Sequence, residues 1–287
     1  MTGITEGRIM HDKIENICTD SIIQHGKYND RIYLMKLGQS DIGEVLQAIK
    51  NLVNEHSYSK IFVKVPIYIS PQFQADGFFV EAIIPDFYSG TTSCCFMAKF
   101  LNSDRLMNIE TTRLQEFSEL LKVSHKNISA SRKEKYVIKI LDSSHVDKIT
   151  ELYKETFITY PFPIFNADYI NMLMKNNQAE FFGAFDKDKL IVVSSAEIDK
   201  SGLNAEMTDF ATHKDYRGQK LSIQLLRKME KAVKNYGIKT VYSIARLNSI
   251  AINKTFINQQ YKYAGTLIKN TNISGSIESM NVWYKYL

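Results

Sequence analysis

The stretch at residues 206–226, EMTDFATHKDYRGQKLSIQLL, constrains this chain more than any other. It reads as a strand, a turn holding Arg217 and Gly218, and an amphipathic helix whose Leu221, Leu225, Leu226 and Met229 form a buried stripe. A strand feeding a glycine turn that opens a helix leaves the first helical N–H groups unpaired and pointing at one spot. The helix dipole favours negative charge at that same spot. Gly218 stands where a side chain would keep a phosphate off the backbone, and Arg217 and Lys220 add cations beside it. Such a turn suits a pyrophosphate; an ordinary strand, turn and helix is the other reading of the same residues.

At 287 residues, 44% apolar and 23% charged, the chain is long enough for two folded domains and lacks the low-complexity runs of disorder. Its first twenty residues carry charges throughout, and no stretch approaches the roughly 18 uninterrupted apolar residues of a membrane span. A cytoplasmic protein without a membrane partner is expected. Cys18, Cys94 and Cys95 are an odd number without framework spacing, which predicts reduced thiols, and the six scattered histidines predict no metal site. The net charge of +5 comes without dense basic runs, so no nucleic-acid partner is expected, whereas an anionic cofactor would suit it.

Along the chain, residues 1–30 show little periodicity. Residues 31–37 read as a strand, a helix capped by Asp41 carries Val45, Leu46, Ile49, Leu52 and Val53, and 59–65 alternate as a second strand. A short helix near 71–75, the turn Asp76-Gly77, and strands at 78–84 and 93–101 complete a βαβαββ series without a phosphate-type glycine turn. One helix is predicted over 104–123, then a polar linker, so the boundaries fall at 1–103, 104–135 and 136–287.

The second domain predicts a strand at 136–141, a helix at 144–157, and a rigid extended loop where Pro161 and Pro163 bracket Phe162 after Tyr160. A helix at 166–175 and strands at 180–185, 190–198 and 203–212 follow. After the central turn and helix come a strand at 240–245, a helix at 249–258, and strands at 262–268 and 279–286. The class is α/β (α+β).

The segment HKDYRGQKLSIQLL resembles the coenzyme A pyrophosphate loop of the GNAT N-acetyltransferases, Gln/Arg-x-x-Gly-x-Gly/Ala, departing from it at Asp215 and Lys220. The order of elements over 136–287 is similar to the whole GNAT fold. DRIYLMKL, KIFVKVP, FFVEAIIPDFY, TYPFP, AEMTDFAT and ESMNVWYKYL further resemble the β-lysine N-acetyltransferases, which make the compatible solute Nε-acetyl-β-lysine from β-lysine and acetyl-CoA. The resemblance implies acetyl-CoA as co-substrate, with Arg217, Gly218, Gln219, Lys220, Leu221 and Ser222 around its pyrophosphate. It also implies Phe210, Ala211 and Thr212 along the pantetheine arm, and Asn248 and Asn253 as candidates for its amides.

An acceptor ammonium, with a pKa near the ~10.4 of lysine, must lose a proton before attacking a thioester, and a pocket carboxylate can take it. Glu206 is the first candidate for that base, with Asp209 and Glu197 as alternatives. Alternation puts Glu206 and Asp209 on opposite faces unless a bulge intervenes; with one, both face the pocket and freed N–H groups at 210–212 can hold an oxyanion. Phe256 stands near the family's usual tyrosine donor, which leaves Tyr261 or solvent to protonate the thiolate. Tyr160 and Phe162 are expected to wall the pocket. A non-catalytic acyl-CoA-binding module and an acetyltransferase of another amine or of protein lysine stay open, as does a homodimer. The N-terminal domain is expected to be a cofactor-free half copy of the catalytic fold.

Overall fold

A computed structural model describes residues 11–107, 109–122 and 135–287. The N-terminal half runs β1 (Lys13–Ile17), β2 (Ser21–Gly26), β3 (Arg31–Lys36), α1 (Ile42–His56), β4 (Lys60–Pro66), α2 (Ser70–Ala75), β5 (Phe79–Tyr88) and β6 (Thr92–Phe100). Helices α3 (Ser103–Met107) and α4 (Thr111–Lys122) follow. The C-terminal half runs β7 (Lys139–Leu141), α5 (Val146–Thr156), α6 (Ala167–Lys175), β8 (Ala179–Asp186), β9 (Lys189–Asp199), β10 (Asn204–Thr212), α7 (Leu221–Asn235), β11 (Thr240–Arg246), α8 (Ile250–Asn258), β12 (Lys262–Ile273) and β13 (Ser276–Tyr286).

Among the described residues all 13 strands form one sheet, in the order β1-β2-β3-β4-β6-β5-β12-β13-β11-β10-β9-β8-β7. The halves meet edge to edge where β5 and β12 share the pair Gly265 and Ala82. Gly265 is required there: at φ +151° its backbone lies so close to β5 that a β-carbon would fall 2.1 Å from the Glu81 carbonyl oxygen. One apolar core spans the seam, with Tyr33, Phe62, Phe87 and Phe96 packed in the same cluster as Tyr242, Met280, Val282 and Tyr284. A second lies under α7, whose Leu221, Leu225, Leu226, Met229 and Val233 are all buried, and a third under α1 with Val45 and Ile49.

The structure departs from the sequence expectation in four places. Residues 13–26, read as having little periodicity, form β1 and β2: β1 is a largely exposed edge strand, and β2 buries the polar Gln24 and His25, which hides its alternation. The single helix expected over 104–123 is broken into α3 and α4. The strand expected over 136–141 is only Lys139–Leu141. Strands β12 and β13 extend to Ile273 and from Ser276 around a turn at Ser274 and Gly275. Residues 123–134, which hold the expected polar linker, lie outside the described residues. No helix among the described residues is long and apolar enough to cross a membrane, and no group of side chains among them is arranged to hold a metal ion.

Candidate active site

Strands β10 and β11 run parallel and stay in register only for Asn204 with Thr240, Ala205 with Val241 and Glu206 with Tyr242. Beyond those pairs β10 bulges between Thr208 and Ala211, with Asp209 in the left-handed region at φ +57°, and the two strands part. The gap opens into a cleft of about 1150 Å³ that runs from the N-terminal half to the start of α7.

At one end of the cleft lies the turn before α7. No side chain caps this helix: its N-cap residue is Lys220, at φ +61° and ψ +26°. Gly218 has φ +79°, and a β-carbon there would meet nothing within 4 Å, so the backbone is open to the cleft. Arg217, Gly218, Lys220, Leu221 and Ser222 line the wall, and the Arg217 Nε donates to the Thr212 carbonyl at 3.3 Å. Lys220 is left-handed, a conformation that costs a residue with a β-carbon about 1–2 kcal/mol. Gln219 is exposed and lies off the cleft wall.

At the centre of the cleft three carboxylates converge. Glu197 and Glu206 are cross-strand partners on β9 and β10, and the bulge swings Asp209 into the same cleft. Burial raises the pKa of Glu206, opposed by the Lys64 ammonium and a hydrogen bond from the Tyr242 hydroxyl. Burial, followed by the charges of Glu206 and Asp209, pushes Glu197 up to about 8. Like charges this close titrate as a unit, so near neutral pH the pair holds a proton. Burial also raises Asp209, which accepts from the Ser195 hydroxyl at 2.6 Å, from Tyr160 at 2.5 Å and from Thr208 at 3.4 Å. Tyr160 is held by the loop containing Pro161 and Pro163 and lines the cleft with Phe162.

The N-terminal half supplies side chains that sequence reasoning did not assign to the site. Lys64 of β4 donates to the Tyr242 hydroxyl at 3.2 Å, and Tyr242 in turn bonds Glu206. Burial works against the Lys64 charge, yet Tyr33, Glu206, Cys94 and Glu197 together hold its pKa above the ordinary value. Tyr33 and Arg31 of β3 also line the cleft. The available signal was the run KIFVKV, where alternation puts a lysine on the same face as Phe62 in a strand otherwise buried.

Four other expected residues sit elsewhere. Tyr261 is buried behind the sheet, packed on Phe256 at 5.0 Å between ring centres and next to Glu230 of α7, so it cannot protonate a leaving group in the cleft. Asn253 is fully buried and spent on structure: its amide donates to the Arg246 and Ser249 carbonyls, and its oxygen accepts from Asn281 and Trp283. Asn248 is half-buried and off the cleft wall. Phe210 and Thr212 line the cleft, whereas Ala211 pairs with Val193 and faces the core.

An uncapped helix start, a split parallel pair and a buried carboxylate cluster together form a site able to hold an anionic carrier and take a proton from an amine. The acetyltransferase (GNAT) family model matches residues 146–253, which contain the split strands' bulge, the turn and α7. A beta-lysine N(6)-acetyltransferase of Methanococcus maripaludis is 37% identical over 266 residues, covering 93% of this chain and 96% of that protein. N-acetyltransferase YodP of Bacillus subtilis is 29% identical over 278 residues, covering 97% of this chain and 100% of that protein. A beta-lysine N(6)-acetyltransferase of Methanosarcina mazei is 26% identical over 265 residues, covering 85% of this chain and 97% of that protein. These matches run through the N-terminal half as well as the GNAT region: the chain is an N-acetyltransferase and belongs to the β-lysine N-acetyltransferase family, within the GNAT acetyltransferases.

Proposed function

We propose that this protein transfers the acetyl group of acetyl-CoA to the ε-amino group of β-lysine, giving Nε-acetyl-β-lysine. The observation that carries the reading is that one cleft joins the open N-terminus of α7 to the Glu197, Glu206 and Asp209 cluster through the gap between β10 and β11. The pyrophosphate fits the 217–222 turn, where backbone N–H groups and the Arg217 and Lys220 side chains meet it. The gap beside the β10 bulge takes the pantetheine arm and brings the thioester to the carboxylates.

There the acceptor ammonium gives a proton to Glu206, the free amine attacks the carbonyl carbon, and the carbon–sulfur bond of the tetrahedral intermediate breaks. Coenzyme A leaves as a thiolate, and the second proton that the new amide nitrogen sheds passes through water to it; a thiol of pKa about 8.5 is a fair leaving group unaided. Tyr242 fixes Glu206, and Lys64 favours its ionised, proton-accepting form. Free Cys18, Cys94 and Cys95 suit a reducing compartment, which we take to be the cytoplasm.

The test is thiol release from acetyl-CoA with β-lysine, lysine and a lysine-containing peptide in parallel. The expected result is a kcat/KM for β-lysine at least about tenfold above lysine, with the peptide inert. A peptide as the best acceptor would make this a protein acetyltransferase; no release with any amine would leave only an acyl-CoA-binding module.

A further inference from the structure

We propose that Arg31, on β3 of the N-terminal half, binds the carboxylate of the acceptor, so that the half without a cofactor turn recognises the amino-acid end of the substrate. The inference rests on the acetyl-transfer reading above and adds the residue that recognises the carboxylate end of the acceptor.

Arg31 is 3% exposed yet lines the cleft. Its Nη1 donates to the Asn270 carbonyl and, at 3.1 Å, to the Thr271 hydroxyl; its Nη2 donates to the Gln24 side-chain oxygen at 3.3 Å. Every one of those acceptors is neutral, and among the described residues the buried Nε has no partner. The carboxylates nearest in charge are already engaged. Asp12 accepts from the Tyr28 and Asn29 backbone and from the Asn29 amide, and Glu81 is taken by Lys60 and the Ile268 N–H.

A guanidinium taken out of water without a counter-charge is costly, and burial accordingly presses its pKa down to about 10. A carboxylate arriving in the cleft supplies the missing charge, and a guanidinium is the group best shaped to receive one.

Position agrees with this. Arg31 and Tyr33 alternate on β3, and in the register that pairs them with Lys60 and Phe62 they share a face with Lys64. The Arg31 guanidinium carbon lies 5.3 Å from the Tyr33 ring centre, and Arg31, Tyr33, Lys64 and Glu206 line the same cleft. The anion-seeking group and the proton-accepting one thus face one cleft, as the two ends of a short amino-acid chain require.

The experiment compares β-lysine with its decarboxylated diamine on the wild-type enzyme, then on Arg31→Gln and Arg31→Lys. Wild type is expected to favour β-lysine by about 100-fold in kcat/KM, the scale of a buried charge pair. Arg31→Gln should narrow that ratio to about threefold through a higher KM for β-lysine, and Arg31→Lys, which keeps the charge and loses the fork, should fall between. A wild-type enzyme that acetylates the diamine within about threefold of β-lysine overturns the proposal and leaves acetyl transfer standing. So does an Arg31→Gln enzyme that keeps the full ratio. If Arg31→Gln does not fold, Arg31→Lys decides by the same ratio, and an unchanged ratio there overturns the proposal. Failure of the underlying reading looks different: neither amine then releases thiol from acetyl-CoA.

Discussion

The two parallel strand pairs of the sheet, β3 with β4 and β10 with β11, are wired alike and end differently. Each pair is joined by a 15-residue helix, α1 or α7. Each is followed by a short helix and a hairpin whose last strand, β6 or β13, lies antiparallel beside β4 or β11. At the helix starts the likeness stops. The Asp41 carboxylate accepts from Gly43 N–H at 2.7 Å and so gives α1 an anion of its own, whereas α7 has no capping side chain and an open glycine turn.

The strands differ in the same sense. β3 and β4 pair through four residues without a bulge, and β10 and β11 part after three beside one. On the function proposed above, the cofactor seat arises where a cap is withheld and a strand pair is opened. We take the N-terminal half to be a cofactor-free copy of the catalytic fold, and the matched wiring supports that reading.

The largest expected effect comes from cutting the halves apart. Between Leu267 and Thr271 β12 leaves its register with β13, and the N-terminal half serves the backbone there. Lys60 donates to the Ile268 carbonyl at 2.7 Å, Glu81 accepts from the Ile268 N–H at 2.8 Å, and Asn29 accepts from the Asn272 N–H at 2.7 Å. Each buried group left unpaired costs about 1–3 kcal/mol against a typical total stability of about 5–15 kcal/mol. Residues 104–287 expressed alone should therefore be insoluble or unfolded by circular dichroism and without acetyltransferase activity. A soluble, fully active fragment would make the N-terminal half an appendage and Lys64 irrelevant to the site.

Next in size is Gly218→Asp. It places bulk and negative charge at a φ of +79° beside the open helix start, and should raise the KM for acetyl-CoA about 100-fold while costing only about 1–2 kcal/mol of stability for the left-handed β-carbon. The same charge in the α1 turn, at Gln39→Asp, should do nothing to acetyl-CoA kinetics. If both or neither changed them, the contrast between the two helix starts would not be the origin of the cofactor site.

How much of this was legible in the sequence follows from the same contrast. Groups close together in the chain could be read: the 217–222 turn, the bulge that unites Glu206 with Asp209, and Tyr160 on its proline-held loop. Arg31, Tyr33 and Lys64 could not, because they reach the site from strands far away in the chain, and alternation says which residues share a face without saying what that face meets. Tyr261 and Asn253 were misplaced for the converse reason: their helical neighbourhood is local, but which side of the sheet they serve is set by the packing of Phe256 and Trp283.

Lys64→Met tests the cross-half contact at smaller scale. The Lys64 cation favours ionised Glu206 and so opposes the upward pull of burial; without it the carboxylate's pKa rises further, and a base that must be ionised needs higher pH. The acid limb of the kcat/KM profile should move to higher pH, with acetyl-CoA binding intact. Linkage gives a second readout. Glu197, held up at about 8, binds a proton in the folded state that the unfolded chain, with its ordinary value near ~4.3, has lost. Stability therefore falls as pH rises through that window, and falls more steeply in Lys64→Met. An unmoved profile would mean that the N-terminal half closes the cleft without tuning its chemistry.

The smallest expected effects lie in the caps themselves. Asp41→Ala removes the carboxylate that closes α1 and should cost about 1 kcal/mol of stability, read as a lower denaturant midpoint, with kinetics unchanged. Lys220→Gly should act in the opposite direction on stability. A left-handed residue with a β-carbon loses about 1–2 kcal/mol, and glycine removes that cost while adding about 0.5–1 kcal/mol of unfolded-state entropy, so the net gain is about 0.5 kcal/mol. The same change deletes an ammonium at the phosphate seat and should raise the KM for acetyl-CoA about threefold. A gain in stability with weaker cofactor binding would mark Lys220 as a strained residue kept for its charge. A loss of stability, or an unchanged KM, would show that the left-handed lysine serves the fold and not the cofactor.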